Sequence, residues 1–166
     1  SGTFHDSSQT VVVDLEPSEE QILKQVRRAF QQTYRKGKAF GFTVRFVGLE
    51  EELDTFLELY RQTMDRVQAN ELYYFDRSYF ANLARIPGVQ LCVIDHGSTM
   101  AAACVFLECD GIVNTHLGGT RTEFLAQSPF TTVIFEVMRW AKSRGNRWLQ
   151  LGGGVGGRDD SVFHFK

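Results

Sequence analysis

The sequence predicts an α/β (α+β) domain built on a mixed, mostly antiparallel central sheet flanked by helices. Three observations lead there. Three apolar runs, 90–95, 99–107 and 112–117, follow one another with only His96-Gly97 and Asp110-Gly111 between them, the second pair being a preferred two-residue hairpin turn. A well-punctuated helix over 129–144 then leads to a strand over 147–151. The 166 residues, 43% hydrophobic and 23% charged, suffice for one core. A meander, a crossover helix and a further strand place 112–117 parallel to 147–151, with the helix on one face of the sheet.

In chain order, Thr10 to Leu15 is β-branched and reads as a short strand broken by Pro17. Ser18 is the expected N-cap of a helix with Glu19 and Glu20 in its first turn. Ile22, Leu23, Val26, Ala29 and Phe30 recur at helical spacing, with Lys24, Arg28 and Arg35 on the opposite face, and Gly37 and Gly41 as terminators. Phe42 to Val47 alternates as a strand. Leu53, Phe56, Leu57, Tyr60, Met64 and Val67 define the next helix; Tyr79, Phe80 and Leu83 define a shorter one ending before Pro87-Gly88. After the meander, 118–127 reads as a loop. Ser128 is then the expected N-cap, Pro129 the first helical residue and Gly145 the stop; Phe130, Val133, Ile134, Val137 and Ala141 form the buried stripe.

Composition bounds the function. The longest apolar run, Met100 to Leu107, stops at Glu108, far short of the ~20 residues that cross a bilayer as a helix. Cys92, Cys104 and Cys109 include no Cys-x-x-Cys pair and are expected to be buried thiols in a reducing compartment. The opening Ser1-Gly2 reads as an expression scar, so the segment is expected to come from a longer protein, with the cytoplasm as its compartment. A net charge of −2 argues against indiscriminate nucleic-acid binding. Seven basic and no acidic residues lie between Lys24 and Leu49; they form either a solvated helix face or a phosphate-facing patch around Lys24, Arg28, Arg35 and Lys36.

Gly152, Gly154 and Gly157 spell a dinucleotide fingerprint, but nothing helical is expected after Arg158 and the chain ends at Lys166, so a tight turn or a close-approach loop is expected. His5, His96, His116 and His164 lack metal-ligand spacing with cysteines or acids, and no metal site is expected. His116, at a strand end beside Gly118-Gly119, is either a satisfied histidine or a general base facing a cleft. The amides at the helix start, Ser128, suit a phosphate, as those of any helix do.

Taken together, these residues resemble the Fem family of peptidoglycan-bridge aminoacyltransferases and their relatives with the GNAT fold. The likeness runs through Gln9 to Leu15, Tyr34 to Val44, Tyr60-x-x-Thr63-Met64-x-Arg66, Tyr74-Phe75 and Tyr79-Phe80-x-x-Leu83. It continues in Glu136-x-x-x-Trp140-Ala141-x-x-x-Gly145, Leu151-Gly-Gly-Gly154 and Asp160-Ser-Val-Phe-x-Phe-Lys166. It implies the second of two GNAT-like domains, a first one being absent, and attack of an amine on an acyl ester or thioester. The acceptor would be a phosphate-bearing cell-wall or envelope-polysaccharide precursor, the acyl donor an aminoacyl-tRNA or acyl-coenzyme A, and the place the cytoplasm or the inner face of the membrane. It also implies that strands 112–117 and 147–151 splay to admit the donor.

By the same resemblance Lys166 is the catalytic residue, against the alternative of an exposed chain-terminal lysine. Lys24, Arg28, Arg35, Lys36, Tyr74, His116, Gly118, Gly119, Ser128, Gly152, Gly153 and Gly154 are candidates for binding substrate. One departure bears on the donor. Coenzyme-A-dependent relatives carry glycines directly at the start of the helix, whereas here Gly118 and Gly119 lie about ten residues earlier. A standard coenzyme A site is therefore not expected. Two alternatives stand beside the leading reading: a coenzyme-A-dependent N-acetyltransferase, and a non-catalytic substrate-binding half of a two-domain transferase.

Overall fold

The computed structural model describes residues 9–154 and 160–166. Six strands form one sheet in the order β1-β6-β5-β4-β3-β2: β1 (Val11–Asp14), β2 (Thr43–Val47), β3 (Val89–His96), β4 (Thr99–Cys109), β5 (Ile112–Thr120) and β6 (Trp148–Gly152). Every neighbouring pair is antiparallel except β5 and β6, which are parallel, as the crossover rule requires. The connecting helix is α5 (Pro129–Ser143). The β4–β5 turn is as expected, with Asp110 and Gly111 both at positive φ (47° and 78°). β3 and β4 each run further than predicted, so that His96 ends β3 and the turn is Gly97-Ser98.

Apolar residues cover both faces of the sheet. On one face α1 (Glu19–Gln25), α2 (Arg28–Phe40) and α5 pack over Cys92, Ile94, Cys104, Phe106, Val113 and Leu149. On the other, α3 (Leu53–Arg66) and α4 (Arg77–Leu83) pack over Leu91, Val93, Ala103, Val105 and Leu117. The period-2 alternation of β3 and β4 is apolar on both sides, and this is why both strands are buried almost throughout.

Several expectations are corrected. The single helix from Ser18 is two helices, broken where Val26 and Arg27 are extended (ψ 134° and 136°). The break is stabilised because the Gln31 amide donates to Leu23 O and Val26 O at 2.8 and 2.9 Å, adding to the Val26 N–H bond that Leu23 O already accepts. Lys24 therefore does not share a helix face with Arg28 and Arg35. Gly41 ends α2 in the left-handed region (φ 95°), but Gly37 lies inside the helix. A Cβ there would come within 2.8 Å of Thr132 Oγ1, so Gly37 lets α2 approach α5. Tyr34 ties the same pair together: its hydroxyl donates to Glu136 Oε1 at 2.5 Å, and Arg139 joins the network while pairing with Glu19. Burial raises the Tyr34 pKa.

Of the three cysteines, Cys92 and Cys104 are buried, but Cys109 is exposed at the end of β4, where the hairpin leaves the core. The segment 118–127 is not an irregular loop: β5 continues to Thr120, and 122–127 is a 3-10 turn. Ser128 precedes α5 in a left-handed conformation (φ 50°) and its side chain does not cap the helix; Ser128 Oγ instead donates to Leu125 O. Ser161–Phe165 form a short helix, α6, which the reading of a non-helical tail did not foresee; the Asp160 carboxylate caps it by accepting from the Val162 and Phe163 N–H groups. Gly157, Arg158 and His5 lie outside the described residues.

Candidate active site

β5 and β6 pair only over Ile112–Asn114 against Trp148–Gln150. A last bond, Thr115 Oγ1 to Gln150 O at 3.3 Å, closes the ladder. Beyond it β5 stays paired with β4 as far as Thr120, while β6 ends at Gly152, and a cleft of about 340 Å³ opens between them. Its walls are Thr115, His116, Gly118 and Gly119 of β5, Leu151 of β6, Cys104 of β4, Thr63 of α3, Phe130 and Ile134 of α5, and Phe165 and Lys166. A cavity of this size with few polar groups is typical of a small-molecule site.

A bulge shapes one wall. Thr115 pairs with Phe106 and Leu117 with Val105, so His116 is the extra residue of β5. Strict alternation would send His116 and Leu117 to opposite faces. The bulge puts both on the α3/α4 side, where Leu117 joins the apolar cluster and His116 Nε2 lies 2.8 Å from the Tyr79 hydroxyl of α4. Tyr79 is itself held by stacking on Phe75, with ring centroids 4.1 Å apart, and by its N–H, which donates to the Asp76 carboxylate. Partial burial lowers the His116 pKa below its ordinary value and raises that of Tyr79. His116 is thus in mid-strand and not at a strand end.

Lys166 enters from the opposite face. α6 is fastened to α2 and α5: Arg27 donates to His164 O at 3.0 Å, and the Phe165 ring sits 5.2 Å from Phe30 and 6.3 Å from Phe130. The Lys166 ammonium then donates to Gly153 O at 2.7 Å, beside the end of β6. Burial lowers its pKa, with the Cys104 and Asp160 charges acting the other way. Cys104 sits between the two polar walls. Burial pushes its thiol up to about 12, against the opposing effects of the His116 backbone N–H and the Lys166 charge. Phe165 and Lys166 also border a second cavity of about 410 Å³, lined mainly by Ile22, Val26, Phe30, Met138 and Leu149.

Of the residues singled out in the sequence, His116, Gly118, Gly119 and Lys166 line the cleft, Gly153 O accepts from Lys166, and a Cβ on Gly152 would lie 3.3 Å from the Lys166 ammonium. Gly118 and Gly119 are there for packing: a Cβ on Gly118 would lie 2.6 Å from the Phe130 ring, and one on Gly119 2.8 Å from Thr63 Oγ1. Gly154 and Ser128 are not among the cleft walls, although Ser128 begins the helix that supplies Phe130 and Ile134. Tyr74 is exposed beyond α3, where its hydroxyl meets Asp65. Lys24, Arg28, Arg35 and Lys36 are exposed away from the cleft walls; Lys24 pairs with Glu20 at 2.9 Å. Acidic partners do reach the basic run, since Arg45 binds Asp95 and Glu52 at 2.6 and 2.9 Å. Tyr79, Thr115 and Cys104 were missed as site residues. Tyr79 is marked in the sequence by an apolar stripe and by the family-like Tyr79-Phe80 motif, Cys104 by an apolar run that points to a core, and Thr115 by nothing.

Among the described residues no group of His, Cys, Asp and Glu could hold a metal ion, and no helix is long and apolar enough to cross a membrane. No curated protein matches the chain. Among solved structures, FemX superposes with a TM-score of 0.78 at 14% identity, over 92% of this chain and 54% of FemX. The C-terminal domain of a putative lysylphosphatidylglycerol synthetase from Agrobacterium fabrum gives 0.68 at 15% identity, over 87% of this chain and 46% of that one. L-PGS from Bacillus licheniformis gives 0.63 at 14%, with the same coverages of 87% and 46%. The chain spans about half the length of each of these structures, and at such identities the likeness is one of fold. The sequence profile of the acetyltransferase (GNAT) domain matches residues 24–166, nearly the whole of the chain just described. With its one parallel strand pair splayed around a cleft, the chain belongs to the GNAT acyltransferase family.

Proposed function

We propose that this domain transfers an acyl or aminoacyl group to an amine on a cell-wall or envelope-polysaccharide precursor, with Lys166 beside the reacting carbonyl. The observation that carries the reading is the Lys166 ammonium, held at the splay of β5 and β6 by α6 and by Gly153 O. When the amine attacks, the carbonyl oxygen gains negative charge, and a preorganised cation in a partly desolvated cleft stabilises it more than bulk water does. The exposed Arg28, Arg35 and Lys36 suit the phosphates of a precursor or of tRNA. Coverage of about half of each structural neighbour fits a partner domain, supplied elsewhere in a longer protein and sharing in substrate binding.

The segment before α5 does not fit the pyrophosphate of coenzyme A. Three of its amides are engaged, Thr122 N–H with Gln62 Oε1, Phe124 N–H with Arg121 O and Ser128 N–H with Leu125 O, and in the first turn of α5 Thr131 N–H is bonded to Ser128 O, at 3.0 to 3.1 Å. Pro129 has no N–H to offer. This favours aminoacyl-tRNA over acyl-coenzyme A as the donor. The test is titration calorimetry with acetyl-coenzyme A, a UDP-linked muropeptide and aminoacyl-tRNA, followed by single-turnover transfer with the ligands that bind. Lys166→Ala is expected to lower turnover by ~10²-fold or more with binding and folding nearly unchanged, as befits a transition-state contact. Turnover within a few-fold of the parent removes Lys166 from the chemistry.

A further inference from the structure

We infer that His116 is the general base that takes the proton from the acceptor's ammonium group, and that Tyr79 is the positioning residue that aims it. This rests on reading the cleft as a site of acyl transfer. The cleft passes through the sheet at the splay, with Lys166 on the α5 side and His116 on the α3/α4 side. A carbonyl lying in the gap would thus meet a cation on one side and an approaching amine, next to an imidazole, on the other. An amine is not a nucleophile until it loses its ammonium proton, so a base on the approach side meets a need that Lys166 cannot.

The bulge is what makes His116 available. It lets His116 share with Leu117 the face that α4 covers, where its Nε2 lies 2.8 Å from the Tyr79 hydroxyl. In the tautomer whose Nε2–H donates to Tyr79 Oη, Nδ1 keeps its lone pair for the incoming proton. The same bond also suits the imidazolium once it forms. Besides His116, the titratable groups lining the cleft are Cys104 from β4 and Lys166 just after α6, while Tyr79 of α4 reaches the His116 ring from outside the lining; α3 contributes Thr63 and, at the far end of β5, Arg66 bound to Thr120 O. Desolvation lowers the His116 pKa, the direction that favours the neutral ring a base needs.

The step balances as follows. The ammonium gives one proton to Nδ1, and the neutral nitrogen forms the new N–C bond as the carbonyl π pair moves onto oxygen near Lys166. Collapse of the tetrahedral adduct breaks the bond to the donor's leaving oxygen or sulfur, which takes the second proton from nitrogen. The imidazolium then returns its proton to solvent.

Two acceptors separate the base from the rest of the site. With a radiolabelled aminoacyl-tRNA pool as donor, His116→Gln, which keeps a donor for Tyr79 but cannot take a proton at Nδ1, is expected to lose ~10²-fold or more with a muropeptide amine as acceptor. With hydroxylamine, which is uncharged at neutral pH, the enzyme-dependent rate is expected to stay within about three-fold of the parent, because no base is needed. Lys166→Ala should be slow with both. The acid limb of the parent's pH profile of kcat/KM should vanish in His116→Gln, and in Tyr79→Phe it should move while KM stays put. Equal losses with both acceptors, or an unaltered acid limb, overturn the assignment of His116. No transfer by the parent protein to either acceptor overturns the acyl-transfer reading itself, and the base with it.

Discussion

Replacing Gly119 by alanine separates a packing role from a substrate contact at a residue that the sequence offers for binding. A Cβ there would lie 2.8 Å from Thr63 Oγ1 and 3.0 Å from Leu59 O, closer than van der Waals contact allows. Leu59 O is backbone in the middle of α3 and cannot swing aside, so the helix must shift off β5. Overpacking of this kind costs ~1–3 kcal/mol. Moving Thr63 also breaks its bond from Thr120 N–H (3.0 Å) and strains its donation to Leu59 O (3.0 Å), about 1 kcal/mol more. Reduced freedom of the unfolded chain returns ~0.4–1 kcal/mol. The net is a loss of about 1–3.5 kcal/mol, or roughly 2–14 °C in Tm for a domain of this size. Urea and thermal unfolding followed by circular dichroism measure it. Gly97→Ala is the control: its φ is +60° but nothing lies within 4 Å, so only the backbone penalty of about 1 kcal/mol is expected. If Gly119→Ala is no less stable than Gly97→Ala, the close approach of α3 to β5 is not what this glycine provides.

Phe165→Ala removes the ring between Phe30 and Phe130 that anchors α6; because the ring is only partly buried, a cost of ~1–3 kcal/mol is expected, appearing first as faster amide exchange in 161–166. Turnover should fall together with it, since Lys166 loses its support; full turnover with a freely exchanging tail would detach the lysine from the chemistry. Neutralising Arg35 and Lys36 together should weaken precursor or tRNA binding in a salt-dependent way, because exposed charges are screened over ~8 Å at physiological ionic strength. An affinity that does not change across a salt titration assigns these residues to a solvated face.

The meander, the parallel pair and the helix between them are legible because each rests on local rules that agree: an Asp-Gly turn, a Pro start, a Gly stop and a handedness that leaves one topology. The α1–α2 break is not legible. Val26 fits the helical stripe, and the side chain that stabilises the break, Gln31, is five residues further on and reads as an ordinary surface position. Ser128 misleads for the opposite reason. Serine before proline is a strong cap signal, yet the 3-10 turn arriving from Thr122 forces a left-handed residue there. Tyr34 and Glu136, both within the family-like motifs, turn out to bind each other between α2 and α5, so in this chain they hold the scaffold and do not face the cleft.

The site itself is divided along the same line. Lys166 is legible only through resemblance, because nothing local marks a terminal lysine; its place depends on Asp160 capping α6, on Arg27 across 137 positions of sequence and on two phenylalanines from different helices. His116 is visible as a titratable residue in a strand, but its direction depends on a one-residue bulge in the pairing with β4. A slip of one residue flips a side chain to the other face, and no hydrophobic pattern reports it when both faces are covered. A strand buried on both sides gives up the alternation that would fix its register in the sequence. β5, which carries the cleft, lacks that alternation for another reason: Asn114, Thr115 and His116 follow one another as polar residues, so the side on which His116 lies is set by the bulge and by its contact with Tyr79.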